Sequence, residues 1–218
     1  MKDRPMLYSG PMVRALLDER KTQTRRLVKP QPEYAPKSGF WLWKGEPISD
    51  FSRIPCPYGQ PGDRLIVKEH VWMWCEKVPN GTTKKGRAKF KYVPMRYAQI
   101  FYCSDHPEKP TIKVFSEYRG YEWAWRKKLG RYIPRWASRI TLEITSVRVE
   151  RLQDISDADA KAEGCSISQR IESLGRQDWP EFPADYRESF SCLWESINGP
   201  GSWAANPWVW VIEFRRVK

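Results

Sequence analysis

Residues that build metal and thiol centres are scarce in this chain. It has two histidines, His70 and His106, and five cysteines (56, 75, 103, 165 and 192) that are odd in number, widely scattered and nowhere spaced C-x-x-C. That spacing argues against a structural zinc site and against a disulfide framework, and reduced, mostly buried thiols suit a cytosolic setting. A reactive cysteine with a histidine partner is not excluded by spacing. Long apolar runs are missing too: nothing approaches the ~20 residues of a transmembrane helix. Lys2, Asp3 and Arg4 at the N-terminus interrupt any signal-peptide core. The expectation is a cytoplasmic protein with no membrane part, no metal or other cofactor and no obligate protein partner. Acid is the third shortage, with 26 Asp and Glu against 38 Lys and Arg, a formal net charge of +12. Such a deficit favours polyanionic partners, of which nucleic acid is the commonest for a basic domain.

Tryptophan, by contrast, is abundant: 12 in 218 residues. Trp is too large and amphipathic to be used so often for plain packing, so some of these rings are expected to face a ligand. With 40% hydrophobic residues, a single core enlarged by insertions is the default for this length.

The run Lys21-Thr22-Gln23-Thr24-Arg25-Arg26 gathers a possible nucleophile, base and anion clamp. Before it, Ser9 can cap a helix with Pro11 in its first turn and an apolar stripe of Met12, Val13, Leu16 and Leu17. That helix should end near Arg20. Thr22, Thr24 and Arg26 then alternate as on one face of a strand, with Lys21 aimed into the same corner. A solvated basic turn is the plain alternative.

Residues 29–62, rich in Pro and Gly, read as a long irregular excursion. The Pro61-Gly62-Asp63 turn launches a strand over 64–74 whose alternation is disturbed at Glu69-His70. Between Gly81 and Arg96, Lys84, Lys85, Arg87, Lys89, Lys91 and Arg96 occur without an acid and are interleaved with Phe90 and Tyr92. A second basic and aromatic tract, 119–139, contains Arg126, Lys127, Lys128 and Trp136. Each reads either as solvated surface or as a track for phosphates with rings for base stacking. Ile140, Leu142 and Ile144 alternate and the pattern resumes at Val147, which predicts a long strand with a bulge near Thr145-Ser146. Ser156 starts a helix with a capping-box pattern to Asp159, and Gly164 ends it. Glu163 falls at its C-terminal end, where the helix dipole opposes a carboxylate unless a cation lies nearby. A further helix is expected over 184–197 and a final strand over 208–217. Strands of uneven length with three short helices give an α+β fold or a small β-barrel with peripheral helices.

With those segments in view, the chain resembles the ASCH-domain family, a branch of the PUA-like β-barrels, and particularly its larger members from bacteriophages and prophages. The resemblance rests on Ser9-Gly10-Pro11-Met12, Lys21 to Arg26, Pro61 to Leu65, Pro134-Arg135-Trp136-Ala137-Ser138-Arg139, Ile140 to Gly164 and Asn206 to Trp210. It covers most of the chain outside residues 76–120. The family signature is Gly, any residue, Lys, four residues, then Arg; Lys21 and Arg26 match, but Glu19 replaces the Gly. The resemblance implies one PUA-like (ASCH) domain over 1–218 with a basic, aromatic insertion at about 76–134. It also implies an amidohydrolase that removes the acyl group from N4-acylated cytosine, as in N4-acetylcytidine, within a nucleoside or single-stranded RNA. Its catalytic set would be Lys21, Thr24 and a helical carboxylate, Glu163, with Glu150 and Asp159 as alternatives. Arg26, Arg135, Trp136 and Ser138 would bind substrate. Lys84, Lys85, Arg87, Lys89, Arg126, Lys127 and Lys128 would meet nucleic acid. A non-catalytic reader of RNA or of a modified base, and a single-stranded RNA nuclease, are the alternatives.

Overall fold

The computed structural model describes residues 1–94, 100–110, 123–167 and 185–217. Parts of the second basic tract (119–122), and Ala184 ahead of the last helix, lie outside them. In order the elements are β1 (Asp3–Leu7), α1 (Gly10–Leu17), β2 (Gln23–Leu27), β3 (Glu33–Ala35), β4 (Phe40–Trp43), β5 (Glu46–Ile48), β6 (Arg64–Lys68) and β7 (Val71–Thr82). There follow β8 (Ala88–Pro94), β9 (Ile100–Tyr102), β10 (Trp123–Lys128), β11 (Thr141–Arg151), α2 (Asp157–Ala162), α3 (Tyr186–Asn198) and β12 (Trp208–Arg216). The fold is α+β, mostly strands in three sheets with few helices. The chain divides into two compact units, one of Met1–Arg4, Ala15–Leu65 and Thr141–Lys218, the other of Pro5–Arg14 and Ile66–Ile140. The expected insertion falls in the second.

In the first unit the sheet runs β1-β6-β11-β12-β2, with β1 and β6 contributing their first residues. Here β12 lies between β11 and β2, antiparallel to both. Burial on both faces explains why Val209, Trp210, Val211 and Ile212 form an unbroken apolar run. The β11–β12 register shifts between Ile144 and Ser146, so the expected bulge is present. On one face Val209 and Val211 pack with Leu152, Ile155, Ala160, Phe190 and Trp194, which fixes α2 and α3 against the sheet. Full burial of a Val or Leu side chain contributes about 1.5–3 kcal/mol. Ser156 caps α2, its hydroxyl accepting from Asp159 N–H at 3.1 Å, and Gly164 follows with φ +86°, as the capping pattern predicts. Residues 29–62 are less irregular than their composition suggests: β3, β4 and β5 form a small antiparallel sheet. Trp41 of that sheet and Phe51 gather with Trp208, with ring centroids 5.3 Å and 4.3 Å from the Trp208 ring.

In the second unit β7 pairs with β10, β8 and β9, all antiparallel. The disturbance read at Glu69-His70 is the interruption between strands β6 and β7, and it holds a buried ion network. Glu69 is 3% exposed and receives the Arg139 guanidinium at 3.0 Å. Arg139 also donates to Asp105 at 2.6 Å and to Ser104 Oγ at 2.8 Å, and lies 3.9 Å over the Tyr102 ring. Those Arg139 hydrogen bonds hold the Asp105 carboxyl below its ordinary range. A buried carboxylate is tolerated when paired in this way.

Candidate active site

Two corners built by the local sequence bring Lys21 to Glu163. Helix α1 ends at Leu17, and Glu19 turns the chain with φ +58°. Glycine adopts such a left-handed conformation at least cost, and Glu19 adopts it here. The Glu19 side chain points to solvent, 74% exposed beside Arg216, so it does not crowd the residues that follow. The α2 end supplies the other corner. Gly164 passes so close that a Cβ there would lie 2.9 Å from Ala15 Cβ and 3.1 Å from Lys21 Cβ. Thr22 N–H donates to Ala162 C=O at 2.8 Å, and Lys21 and Glu163 form an isolated antiparallel bridge.

Lys21 Nζ donates to Glu163 Oε2 at 2.6 Å and to the Glu163 carbonyl at 2.7 Å. Their side chains are 2% and 4% exposed. The network extends along the sheet. Arg25, with no exposed side-chain surface, lies 3.7 Å from Glu163 Oε1, 3.2 Å from Asp159 and 3.3 Å from Glu150. Arg148 pairs closely with Glu150 and Glu213, and lies 3.7 Å from Asp159. Burial by itself pushes the Asp159 carboxyl up, but Arg25, Ser156 and Arg148 outweigh it and hold it below the ordinary range. Neither Nε nor Nη1 of Arg25 hydrogen bonds, nor does Oε1 of Glu163. Burial foremost, then the Glu163 charge, pushes the neighbouring Cys165 thiol up to about 12.

Strand alternation sorts the other expected site residues. Gln23 and Arg25 both reach α2, Gln23 donating to Asp159 C=O at 2.8 Å. Arg25 is opposite Val211 in the register, on the face covered by α2 and α3. Thr24 is opposite Ile212 and Arg26 opposite Trp210, so both belong to the other face. Lys21 therefore shares Glu163 with Arg25 and turns to the α2 side with Gln23, rather than to the face of Thr24 and Arg26. Thr24 is buried, at 4% exposure. Arg148 and Glu213, which complete the network, went unread in the sequence. The signal was there, since Arg148 and Glu150 alternate on one face of β11.

In the second unit Arg135 and Trp136 are exposed on a 3-10 turn, Trp136 at 52%. Ser138 Oγ instead donates to Val67 C=O at 2.7 Å, a structural bond. Lys84, Lys85, Arg87 and Lys89 are all exposed around the β7–β8 hairpin tip. Of the next cluster, Lys127 lies on one face of its strand, while Arg126 and Lys128 turn to the other. There Arg126 sits 3.6 Å over the Tyr92 ring and Lys128 donates to Tyr92 C=O at 3.2 Å.

Among the described residues, cavities of about 440, 160 and 440 Å³ are lined around Phe101 and His106, around Trp43 and Arg53, and around Arg187 and Trp203. No group of three or more His, Cys, Asp or Glu among those residues is disposed to hold a metal ion. No described helix is long and apolar enough to cross a membrane. Compared with protein-family models, with curated proteins and with solved structures, the chain matches none.

Proposed function

We propose that this chain is an amidohydrolase of the ASCH type, on a PUA-like β-barrel, that removes the acyl group from N4-acylated cytosine in a nucleoside or in single-stranded RNA. The observation that carries the proposal is the 2.6 Å contact between Lys21 Nζ and Glu163 Oε2, which joins two residues 142 positions apart that the resemblance assigns to one reaction. A buried acid–base pair of this kind can pass a proton across its hydrogen bond. With that proton on Glu163, the Lys21 amine accepts a proton from the attacking hydroxyl as its oxygen bonds to the acyl carbon. Collapse of the tetrahedral intermediate breaks the C–N4 bond, and the Glu163 proton goes to the departing N4. Arg25, with two nitrogens free of hydrogen bonds beside Glu163, would be the donor for the developing oxyanion. The resemblance makes Thr24 the nucleophile, which would leave an acyl ester that a water must then hydrolyse to release the acid and free the hydroxyl; the β2 register, with Thr24 on the face away from Lys21, favours water as the attacker. A Thr24→Ala variant tests this: loss of turnover assigns attack to Thr24, whereas retained turnover assigns it to water.

A second reading, a non-catalytic reader of RNA or a modified base, is favoured by the near-complete burial of both charged partners. In that case the pair serves to tie α2 to β2. The deciding experiment is incubation of the pure protein with N4-acetylcytidine. Release of cytidine and acetate supports the enzyme, and saturable binding without release supports the reader.

A further inference from the structure

The β-ladders of the second unit sort its rings and cations in a way that points to a ligand surface. Directly paired residues of an antiparallel sheet share a face. Val71, Met73 and Cys75 lie on one face with Tyr92, Ile100 and Tyr102 and pack on Ile133 and Ala137, which makes that side a core. The other face is different. Trp72 is paired with Lys127 and Phe101, Trp74 with Trp125, Glu76 with Trp123, and Val78 with Lys91, so five large aromatic rings share it with lysines. Trp72, Trp74, Trp123 and Phe101 are only half-buried. Lys89, two residues from Lys91 on β8, falls on the same side.

The rings form a connected chain. Trp74 meets Trp125 at 5.1 Å, Trp125 meets Phe101 at 5.1 Å, and Phe101 meets His106 at 5.3 Å, each edge to face. Phe101 and His106 then line a cavity of about 440 Å³ whose rim carries Glu108 and Lys109. That volume is in the range of small-ligand sites. The indole N–H groups of Trp72 and Trp123 make no hydrogen bond. Phe90 and Tyr92, the rings interleaved with the hairpin lysines in sequence, point away to the core side, under Lys77 and Arg126.

We propose that single-stranded RNA lies across this aromatic face, with bases stacked on Trp72 and Phe101, one of them entering the cavity beside His106, and phosphates met by Lys89, Lys91 and Lys127. Flat rings bordered by cations are what a sequence-tolerant single-strand site needs, because every unpaired base offers a π-face. A duplex hides those faces in its own stack, and its A-form grooves are read by shape instead. The carboxylate of Glu108 can accept from an exocyclic base amine, and Lys109 can pair with the adjoining phosphate. The proposal takes only its ligand class from the functional reading above.

The test is fluorescence anisotropy with a labelled, unmodified single-stranded RNA dodecamer, measured across a salt series. Since the oligonucleotide carries no acylated base, this proposal and the deacylation reading can fail separately. Wild-type protein is expected to bind. Phe101→Leu and Trp72→Leu are each expected to weaken binding about tenfold without altering the salt slope. The double change Lys89→Ala, Lys91→Ala, at exposed positions where folding is not at stake, should make the log-log salt slope shallower by about 1.4, at ~0.7 per phosphate contact. Phe90→Leu, on the same hairpin but the opposite face, should change nothing. Absent binding at low salt, equal affinity for the matching duplex, equal loss in Phe90→Leu, or a salt slope unmoved by removing both lysines would each overturn the proposal.

Discussion

Removing Lys21 should be among the more damaging single changes in the first unit, and its size follows from the contacts. Lys21→Met deletes two short hydrogen bonds, at 2.6 and 2.7 Å, and leaves the Glu163 carboxylate 4% exposed with Arg25 alone at 3.7 Å. Breaking a buried pair from one side costs about 3–5 kcal/mol. The remaining Arg25 places the expectation at the lower end, about 3 kcal/mol, or a fall in Tm of about 6–12 °C for a chain of this size. Glu163→Gln is milder, since the ammonium keeps the main-chain carbonyl of residue 163; about 2 kcal/mol is expected. The double variant leaves no uncompensated charge from the pair, because Arg25 retains Asp159 and Glu150. It should therefore cost no more than Lys21→Met, which gives a coupling of about 2 kcal/mol where independent sites would add. Urea unfolding followed by tryptophan fluorescence measures all four corners of this cycle. Additivity within about 0.5 kcal/mol would refute a direct buried contact.

Three further outcomes follow from the same geometry. Gly164→Ala should lower stability by about 2 kcal/mol, since φ +86° strains any L side chain and the new Cβ meets Ala15 Cβ at 2.9 Å; the thermal midpoint checks this. Iodoacetamide labelling at neutral pH, read by mass spectrometry, should find buried Cys165 slower than the half-buried Cys56 and Cys103, because its titration is pushed up to about 12 and only the thiolate reacts. Asp105 and Asp159 are both held low in the folded state, so their stability contribution is complete above the unfolded carboxylate value near 4 and is lost as pH falls through their lower folded values. Tm should accordingly hold above about pH 5 and fall below about pH 4, with a shallower fall in the double change Asp105→Asn, Asp159→Asn.

How much of this was legible beforehand depended on whether the signal was local. The Ser156 cap, the Gly164 stop and the β11 bulge depend on residues a few positions apart, and each appears where the sequence put it. Glu163 beside Lys21 spans 142 positions, and no periodicity gives that; it came from the resemblance. The corner was harder to orient. Thr24 and Arg26 do share one face of β2, but Lys21 does not join them, and α2 instead gathers Lys21 with Gln23 and Arg25. The hairpin held a similar lesson. Lysines alternating with Phe90 and Tyr92 cannot share their face, so the rings beside Lys91 had to come from other strands, which only the register reveals. The small β3-β4-β5 sheet was hidden by its Pro and Gly content, which marks turns and not the short strands between them.

The most direct test of the central claim is a time course of the pure protein with N4-acetylcytidine, with cytidine and acetate separated by chromatography, run beside Glu163→Gln. The account expects both products in equal amounts from the wild-type chain, and a loss of turnover of at least about 100-fold in a Glu163→Gln protein that still folds. Equal turnover in the two proteins, or none in the wild type, would contradict it.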